Sequence, residues 1–127
     1  MAIKFNVIER GEPGVTGGGT KKYYASTKSS GEMTLSKLTN SIEKVSTVSG
    51  ADIRAVLYAM VDVMKASLAD GQIVRLGELG SLRITIASNG EATAEKVSVK
   101  SIKGAKTVFT PGTDLKDLLK NLKYEKA

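Results

Sequence analysis

Apolar residues recur at steps of three and four positions between Ser49 and Leu68, which places them on one face of a long helix. The residues of this face are Ile53, Val56, Leu57, Met60, Met64 and Leu68. Ser49 precedes the run and Asp52 follows three residues later, a spacing that predicts a capping box at the start of the helix. Gly71 comes directly after the run, where a left-handed residue ends many helices.

The apolar surface of this helix is wider than one small domain can cover. Val61 and Val63 flank the face, so the helix is apolar over more than half of its circumference. The chain has 127 residues, of which 5% are aromatic and none is Trp, so its own core is modest. Small chains often share a core between subunits, and the pattern therefore predicts a dimer.

Alternating patterns follow the long helix and predict a small sheet. Residues 73–76 and 81–86 are typical of strands, and residues 77–80 form a glycine hinge between them. Asn89-Gly90 predicts a type I′ turn, because both residues tolerate positive φ. The return strand is then expected at residues 95–100, where period-two geometry places Lys96, Ser98 and Lys100 on one face.

The N-terminal third has its own alternating pattern. Residues 3–8 predict a half-buried strand, residues 11–19 a glycine-rich loop, and residues 21–27 a second strand antiparallel to the first. Tyr23 and Tyr24 follow two lysines. They fit stacking on nucleic-acid bases or, more commonly, packing on a sheet.

Two further helices are predicted on either side of this central region. The first begins after Thr34, runs to about Thr47 and forms a helical hairpin with the long helix. Acidic residues slightly outnumber basic ones between positions 32 and 71, whereas a DNA-reading helix is basic, so this pair is scaffold. After a short strand at Val108-Phe109, the second helix is capped by Thr113 and buries leucines, and the last four residues are expected to fray.

Composition excludes several classes of chemistry. The chain has no Cys and no His, which removes disulfides, thiol nucleophiles, imidazole catalysis and zinc sites of the Cys/His type. No spacing places a nucleophile beside a base, so no enzyme and no cofactor is expected. No apolar run is long enough for a membrane span, and the N-terminus lacks the apolar centre of a signal peptide, which predicts a cytoplasmic protein without a membrane partner.

The net charge of the chain indicates a class of binding partner. The net charge is +6 with a sequence pI near 9.6, which fits either a solvated basic surface or a nucleic-acid partner. From position 83 to 110 basic residues outnumber acidic ones, and the two acids, Glu91 and Glu95, lie near the predicted tip of the hairpin. The distribution therefore favours a binding surface at the base of the hairpin.

Four runs, in order along the chain, resemble the HU / integration host factor family of bacterial nucleoid DNA-binding proteins. They are Val-Ser-Gly-Ala at 48–51, Ser-Leu-Ala-Asp-Gly at 67–71, Val-Arg-Leu-Gly-Glu-Leu-Gly-Ser-Leu at 74–82 and Phe-Thr-Pro-Gly-Thr-Asp-Leu-Lys at 109–116. Residues 1–33 lie outside the ordinary pattern. They resemble a longer HU-related subgroup of Bacteroides-type bacteria that begins with a similar strand and a Lys-Tyr-Tyr-Ala run.

The resemblance implies an α+β, HU-like fold: an intertwined homodimer with a helical base, an antiparallel β-saddle and a hairpin arm. On this basis residues 1–33 form an N-terminal β extension, 34–123 the DNA-binding and dimerisation domain, and 124–127 a tail. The implied function is non-sequence-specific, architectural binding of double-stranded DNA in the nucleoid, through the minor groove and with bending of the duplex.

Two sets of residues follow from the pattern and the resemblance together. The residues expected to contact DNA are Arg83, Lys96, Lys100, Lys103, Lys106, Lys116 and Lys120. The residues expected to form the dimer core are Ile53, Val56, Leu57, Met60, Met64, Leu68, Leu79 and Leu82.

The chain also departs from the family. Its arm carries no proline, since none occurs between Met33 and Pro111, so the wedge that the family inserts between base pairs is missing. Gentler bending is therefore expected. The same departures support an alternative: an HU-fold module that binds a protein partner by strand addition and has weak or no DNA affinity.

Overall fold

The computed structural model describes residues 1–127 and contains three α-helices and two three-stranded sheets. The helices are α1 (Leu35–Val45), α2 (Gly50–Ala69) and α3 (Thr113–Lys120). The strands are β1 (Ile3–Arg10), β2 (Lys22–Lys28), β3 (Val74–Arg75), β4 (Gly80–Ser88), β5 (Ile102–Pro111) and β6 (Tyr124–Lys126). Strands in the order β2-β1-β6 form the N-terminal sheet, and strands in the order β3-β4-β5 form the ribbon sheet.

Local capping determines where α1 and α2 begin. The Thr34 hydroxyl accepts a hydrogen bond from the backbone N–H of Lys37 at 3.3 Å. The Ser49 hydroxyl accepts one from Asp52 at the same distance of 3.3 Å. Each bond satisfies a donor that the first helical turn leaves free. At Ser49 only this half of the predicted capping box forms.

The end of α2 confirms the prediction for Gly71. This glycine has φ +79°, and its N–H donates to the carbonyl of Leu68 at 3.0 Å. The next N–H, of Gln72, donates to the carbonyl of Ser67 at 3.1 Å. This pair of bonds is a Schellman motif, which satisfies carbonyls at the helix end and turns the chain toward β3.

The N-terminal sheet confirms one prediction and corrects another. Strands β1 and β2 are antiparallel, as the alternating pattern predicts. The expectation that residues 124–127 fray is wrong, because β6 pairs in parallel with the other edge of β1. The N–H of Ile3 donates to the carbonyl of Lys123 at 2.8 Å, and that of Ala127 to Phe5 at 2.9 Å. The tail thus satisfies backbone groups on β1 that would otherwise lack a protein partner.

The predicted type I′ hairpin and its return strand are also wrong. Gly90 does not have the positive φ that this turn requires. The loop at residues 89–101 instead contains two 3₁₀ turns, at Ala94–Lys96 and Val99–Ser101. Strand β5 therefore begins only at Ile102, which pairs with Ser88 of β4.

Helix α3 begins where two glycines allow close approach of neighbouring backbone segments. Its N-cap is Gly112, so Thr113 is the first helical residue and does not cap the helix as predicted. A Cβ on Gly112 would collide with the carbonyl of Glu78, and one on Gly80 with the carbonyl of Thr110. Both positions therefore require glycine, because the backbone of the hinge at residues 77–80 lies so close to the backbone at the end of β5 that no Cβ fits between them.

Few residues are buried within the single chain. Only five residues are buried, and Ile53, at 7% exposure, is the one large apolar side chain among them. Two others, Thr39 and Gly50, pack together where α1 meets α2. Val56 and Val63 on α2 remain 63% and 67% exposed. None of the helices combines the length and apolar composition that crossing a bilayer requires.

Candidate nucleic-acid interface

The ribbon formed by β4 and β5 separates polar from apolar side chains. Residues directly opposite each other in an antiparallel pair lie on the same face. Leu82 lies opposite Phe109, and two residues along Ile84 lies opposite Thr107, which makes one face largely apolar. The other face begins with Ser81 opposite Thr110, both polar residues.

Two of the predicted DNA contacts, Arg83 and Lys106, lie on this polar face. Arg83 pairs with Val108 and Lys106 with Thr85, so the two cations occupy neighbouring positions on adjacent strands. Both side chains are exposed, and neither strand contains an acidic residue. This face of the ribbon is called the basic ribbon face below. Exposed cations on a face without acids are suited to bind phosphate oxygens.

The other three predicted contacts of the arm are arranged differently. Lys103 lies where the register of β4 and β5 shifts, next to Ile102. Lys96 ends the first 3₁₀ turn of the loop, and Lys100 lies in the second. The prediction that Lys96, Ser98 and Lys100 share a strand face is therefore wrong, although both lysines are exposed.

Ser101 organises this loop and was missed by the sequence reasoning. It is 3% exposed, and its hydroxyl donates to Glu91 Oε1 at 2.9 Å and accepts from the N–H of Ser98 at 3.1 Å. Its carbonyl accepts from the N–H of Asn89 at 2.7 Å. The Ser-x-x-Ser spacing at 98–101 resembles a capping box and is the signal that could have identified it.

The remaining predicted contacts, Lys116 and Lys120, lie one turn apart on α3. Lys116 lines a cavity of about 280 Å³ between the ribbon sheet and the start of α3. Arg75, Ser81 and Thr110 line the same cavity. The structure therefore brings Arg75, a cation that the sequence reasoning did not select, beside Lys116.

The predicted dimer core is only partly assembled within one chain. An apolar groove of about 440 Å³ brings together Val56, Met60 and Met64 of that set. The groove is completed by Ala59, Val63, Val74 and Leu76, which were not in the predicted set. Outside the groove Ile53 is buried, whereas Leu57, Leu68 and Leu82 are half-buried and Leu79 is 48% exposed.

Comparison with known proteins identifies the family. The model of the HU-HIG family, described as an HU domain fused to a wHTH, Ig or glycine-rich motif, matches residues 1–126. The chain belongs to the HU-HIG family. The match includes the N-terminal sheet and β6 as well as the HU-like region.

One solved structure shows that the HU-HIG chain shares its fold with a larger protein. This structure is of a presumed bacterial DNA-binding protein from Bacteroides vulgatus, with a TM-score of 0.66 and 12% sequence identity. The alignment covers 98% of this chain but 48% of the other, so this chain spans about half of that protein. No curated protein matches the HU-HIG chain.

Proposed function

We propose that this chain is a non-enzymatic, architectural protein of the nucleoid that binds double-stranded DNA as an HU-like homodimer without sequence specificity. The observation that carries the proposal is the basic ribbon face, on which Arg83 and Lys106 lie exposed with no acidic residue on either strand. Membership of the HU-HIG family supports DNA as the partner of this face, because the family model contains an HU domain.

The basic ribbon face fits phosphate binding better than base reading. Its polar residues besides the two cations are hydroxyls of Ser81, Thr85 and Thr110, which donate to phosphate oxygens without distinguishing bases. A two-stranded ribbon of nine residues extends about 30 Å, which is enough to follow a groove over most of a helical turn. Because the arm has no proline, a bend arises from phosphate neutralisation and deformation of the duplex, not from an inserted proline.

The homodimer is proposed because the apolar groove on α2 has no cover within the chain. Val56 and Val63 are both more than half exposed, and Val74 and Leu76 continue the groove toward the ribbon sheet. Covering this groove with the same groove of a second chain removes apolar surface from water on both copies. The ribbon sheets of the two chains then form one saddle, with an arm on either side.

The test compares two double variants that remove the same charge. Arg83→Gln with Lys106→Gln changes the basic ribbon face, whereas Lys37→Gln with Lys44→Gln changes exposed cations on α1. Each lost phosphate contact lowers the slope of log K against log salt by about 0.9. We expect the first variant to flatten the slope by roughly two for each arm that contacts DNA, measured by fluorescence anisotropy on a 30-base-pair duplex.

The α1 variant should leave the slope unchanged. Equal slopes for the wild type and the Arg83/Lys106 variant would remove the basic ribbon face from the function. Sedimentation equilibrium gives the mass in the same buffers, and a mass of one chain at micromolar concentration would contradict the homodimer.

A second candidate is a protein-interaction module with weak DNA affinity. Two observations favour it: the tip loop carries Glu91 and Glu95, and β2 and β6 are free edges that an extended peptide could extend. A dissociation constant for duplex DNA below about 10 µM at physiological salt contradicts this candidate, because it lies within the range of ordinary non-specific DNA binding.

A further inference from the structure

We infer that the N-terminal sheet carries a second phosphate-binding surface for duplex DNA, separate from the basic ribbon face. The identity of the ligand rests on the proposed function, but the surface is formed by a different sheet and is tested by different variants. It consists of four cations on one face of β1 and β2: Lys4, Arg10, Lys22 and Lys28.

The register of β1 and β2 places these cations together. Lys4 lies directly opposite Lys28, and Arg10 lies opposite Lys22. The positions between them, Asn6 opposite Ser26 and Ile8 opposite Tyr24, lie on the same face. All four cations are exposed. The face therefore has a pair of cations at each end and polar or half-buried residues between them.

This arrangement works against the stability of the sheet. Like charges directly opposite each other destabilise a strand pair, and here both ends carry such a pair. Two acids reduce the repulsion: Glu12 forms an ion pair with Lys22 at 2.8 Å, and Glu125 of β6 lies beside Lys4. Lys28 and Arg10 have no acid as a partner in the sheet. A surplus of positive charge therefore remains on this face, which an anionic partner would neutralise.

The geometry of the face fits a duplex backbone. The Arg10 guanidinium lies over the ring of Tyr24, 5.1 Å from its centre, which positions the cation at its end of the face. Arg10 lies six positions after Lys4, so the two ends are about 20 Å apart in an extended strand. A duplex presents about six phosphates per strand over that length. Both pairs of cations can therefore contact one continuous stretch of backbone.

The opposite face of the N-terminal sheet has different chemistry. It carries Ile3, Phe5 and Val7 of β1, and its charged members are Glu9 and Lys126, which cancel. Ile3 also lines a cavity of about 470 Å³ with Leu118 of α3 and with Leu122, two residues beyond the end of that helix. Net charge is thus confined to one side of the sheet. This confinement argues for a polyanion on that side and supplies a matched control on the other.

The experiment measures salt-dependent duplex binding for three variants of the full chain. Lys4→Gln with Lys28→Gln changes the proposed surface. Lys21→Gln with Lys126→Gln removes the same charge, one lysine from the opposite face and the other from just before β2. Arg83→Gln with Lys106→Gln reports on the basic ribbon face. Thermal unfolding of each variant confirms that the sheet persists, as expected for exposed side chains.

The expected result is a change for Lys4/Lys28 and none for Lys21/Lys126. Two lost contacts flatten the slope by about 1.8 for each sheet that touches DNA. Between 50 and 200 mM salt the wild type then loses about twelvefold more affinity than the Lys4/Lys28 variant. An equal effect from both lysine pairs would mean that only total charge matters, and it would overturn the inference.

The two proposals fail in different ways. If Arg83/Lys106 flattens the slope and Lys4/Lys28 does not, the proposed function stands and the second surface is excluded. If Lys4/Lys28 flattens the slope and Arg83/Lys106 does not, the second surface stands and the basic ribbon face is excluded. A wild type without salt-dependent binding to duplex DNA overturns both.

Discussion

The two sheets of this protein have the same number of strands and the same separation of charge, but they pair and pack with different parts of the molecule. Each has three strands, and each places cations on one face and aliphatic or aromatic residues on the other. The ribbon sheet is made of strands consecutive in the chain and adjoins the apolar groove of α2 through Val74. The N-terminal sheet instead combines the first two strands with the last.

This difference indicates what each sheet needs in order to be stable. The apolar side chains next to the ribbon sheet are uncovered within one chain, so in the proposed homodimer this sheet depends on a second copy. The N-terminal sheet completes its backbone pairing with the chain's own tail, and its main contacts are among its own strands. The following changes should therefore affect one sheet and spare the other.

The largest effect is expected from Val63→Asp in the apolar groove. A carboxylate buried without a partner in the proposed dimer interface costs roughly 3 kcal/mol or more. Sedimentation should show dissociation, and hydrogen exchange should increase in β4 and β5 but not in β1 and β2. Tyr58→Asp, on an exposed part of the same helix, is the control. Equal loss of protection in both sheets would refute their independence.

Gly80→Ala should be the next most damaging. The backbone at Gly80 has φ +137°, and an added Cβ would meet the carbonyl of Thr110. The strain should lower the free energy of unfolding by about 1–3 kcal/mol, measured by urea titration. Gly104→Ala in β5 is the matched control, since a Cβ there has no neighbour within 4 Å. A Gly80 variant as stable as the Gly104 control would show that the hinge tolerates a side chain.

Ser101→Ala should loosen the arm without unfolding either sheet. The substitution leaves the Ser98 N–H and the Glu91 carboxylate without their partner, at about 1–2 kcal/mol. Amides of residues 89–101 should exchange faster, while those of β4 and β1 keep their protection. Thr93→Ala, whose side chain caps no turn, should change nothing. Unaltered exchange in the Ser101 variant would show that the loop is held by other contacts.

The smallest effect is expected from removing residues 123–127, which include the carbonyl of Lys123 that accepts from the Ile3 amide. The edge of β1 loses its hydrogen bonds to β6 but keeps those to β2, so about 1 kcal/mol of local stability is lost. This corresponds to roughly fivefold faster exchange of the Ile3 amide. The ribbon sheet should not respond. A global loss of stability would mean that the N-terminal sheet supports the whole molecule.

Features governed by neighbouring residues could be predicted from the sequence. The starts of α1 and α2 depend on Thr34 and Ser49, and the end of α2 depends on Gly71, so three- to five-residue patterns were sufficient. The pairing of β1 with β2 likewise follows from alternation across a glycine-rich loop.

Features governed by distant residues could not be predicted in this way. The loop at 89–101 is held by a hydrogen bond between Glu91 and Ser101, ten positions apart, and this overrode the Asn-Gly turn signal. The short run Tyr124-Glu125-Lys126 has no strand pattern of its own, and it becomes a strand only because β1 offers a free edge. The hydrogen bond between Glu91 and Ser101 also explains why Lys96 and Lys100 do not share the strand face that was predicted for them.

The parallel pairing of β1 with β6 also sets an order of events during synthesis. Ile3 pairs with Tyr124, so the sheet cannot be completed until more than a hundred residues after β1 have been made. The helices and the ribbon form from contacts much closer in sequence, which are the faster ones to make. A nascent chain therefore holds β1 and β2 as a hairpin in which the outer edge of β1 is free and exposed to mispairing until β6 has been made.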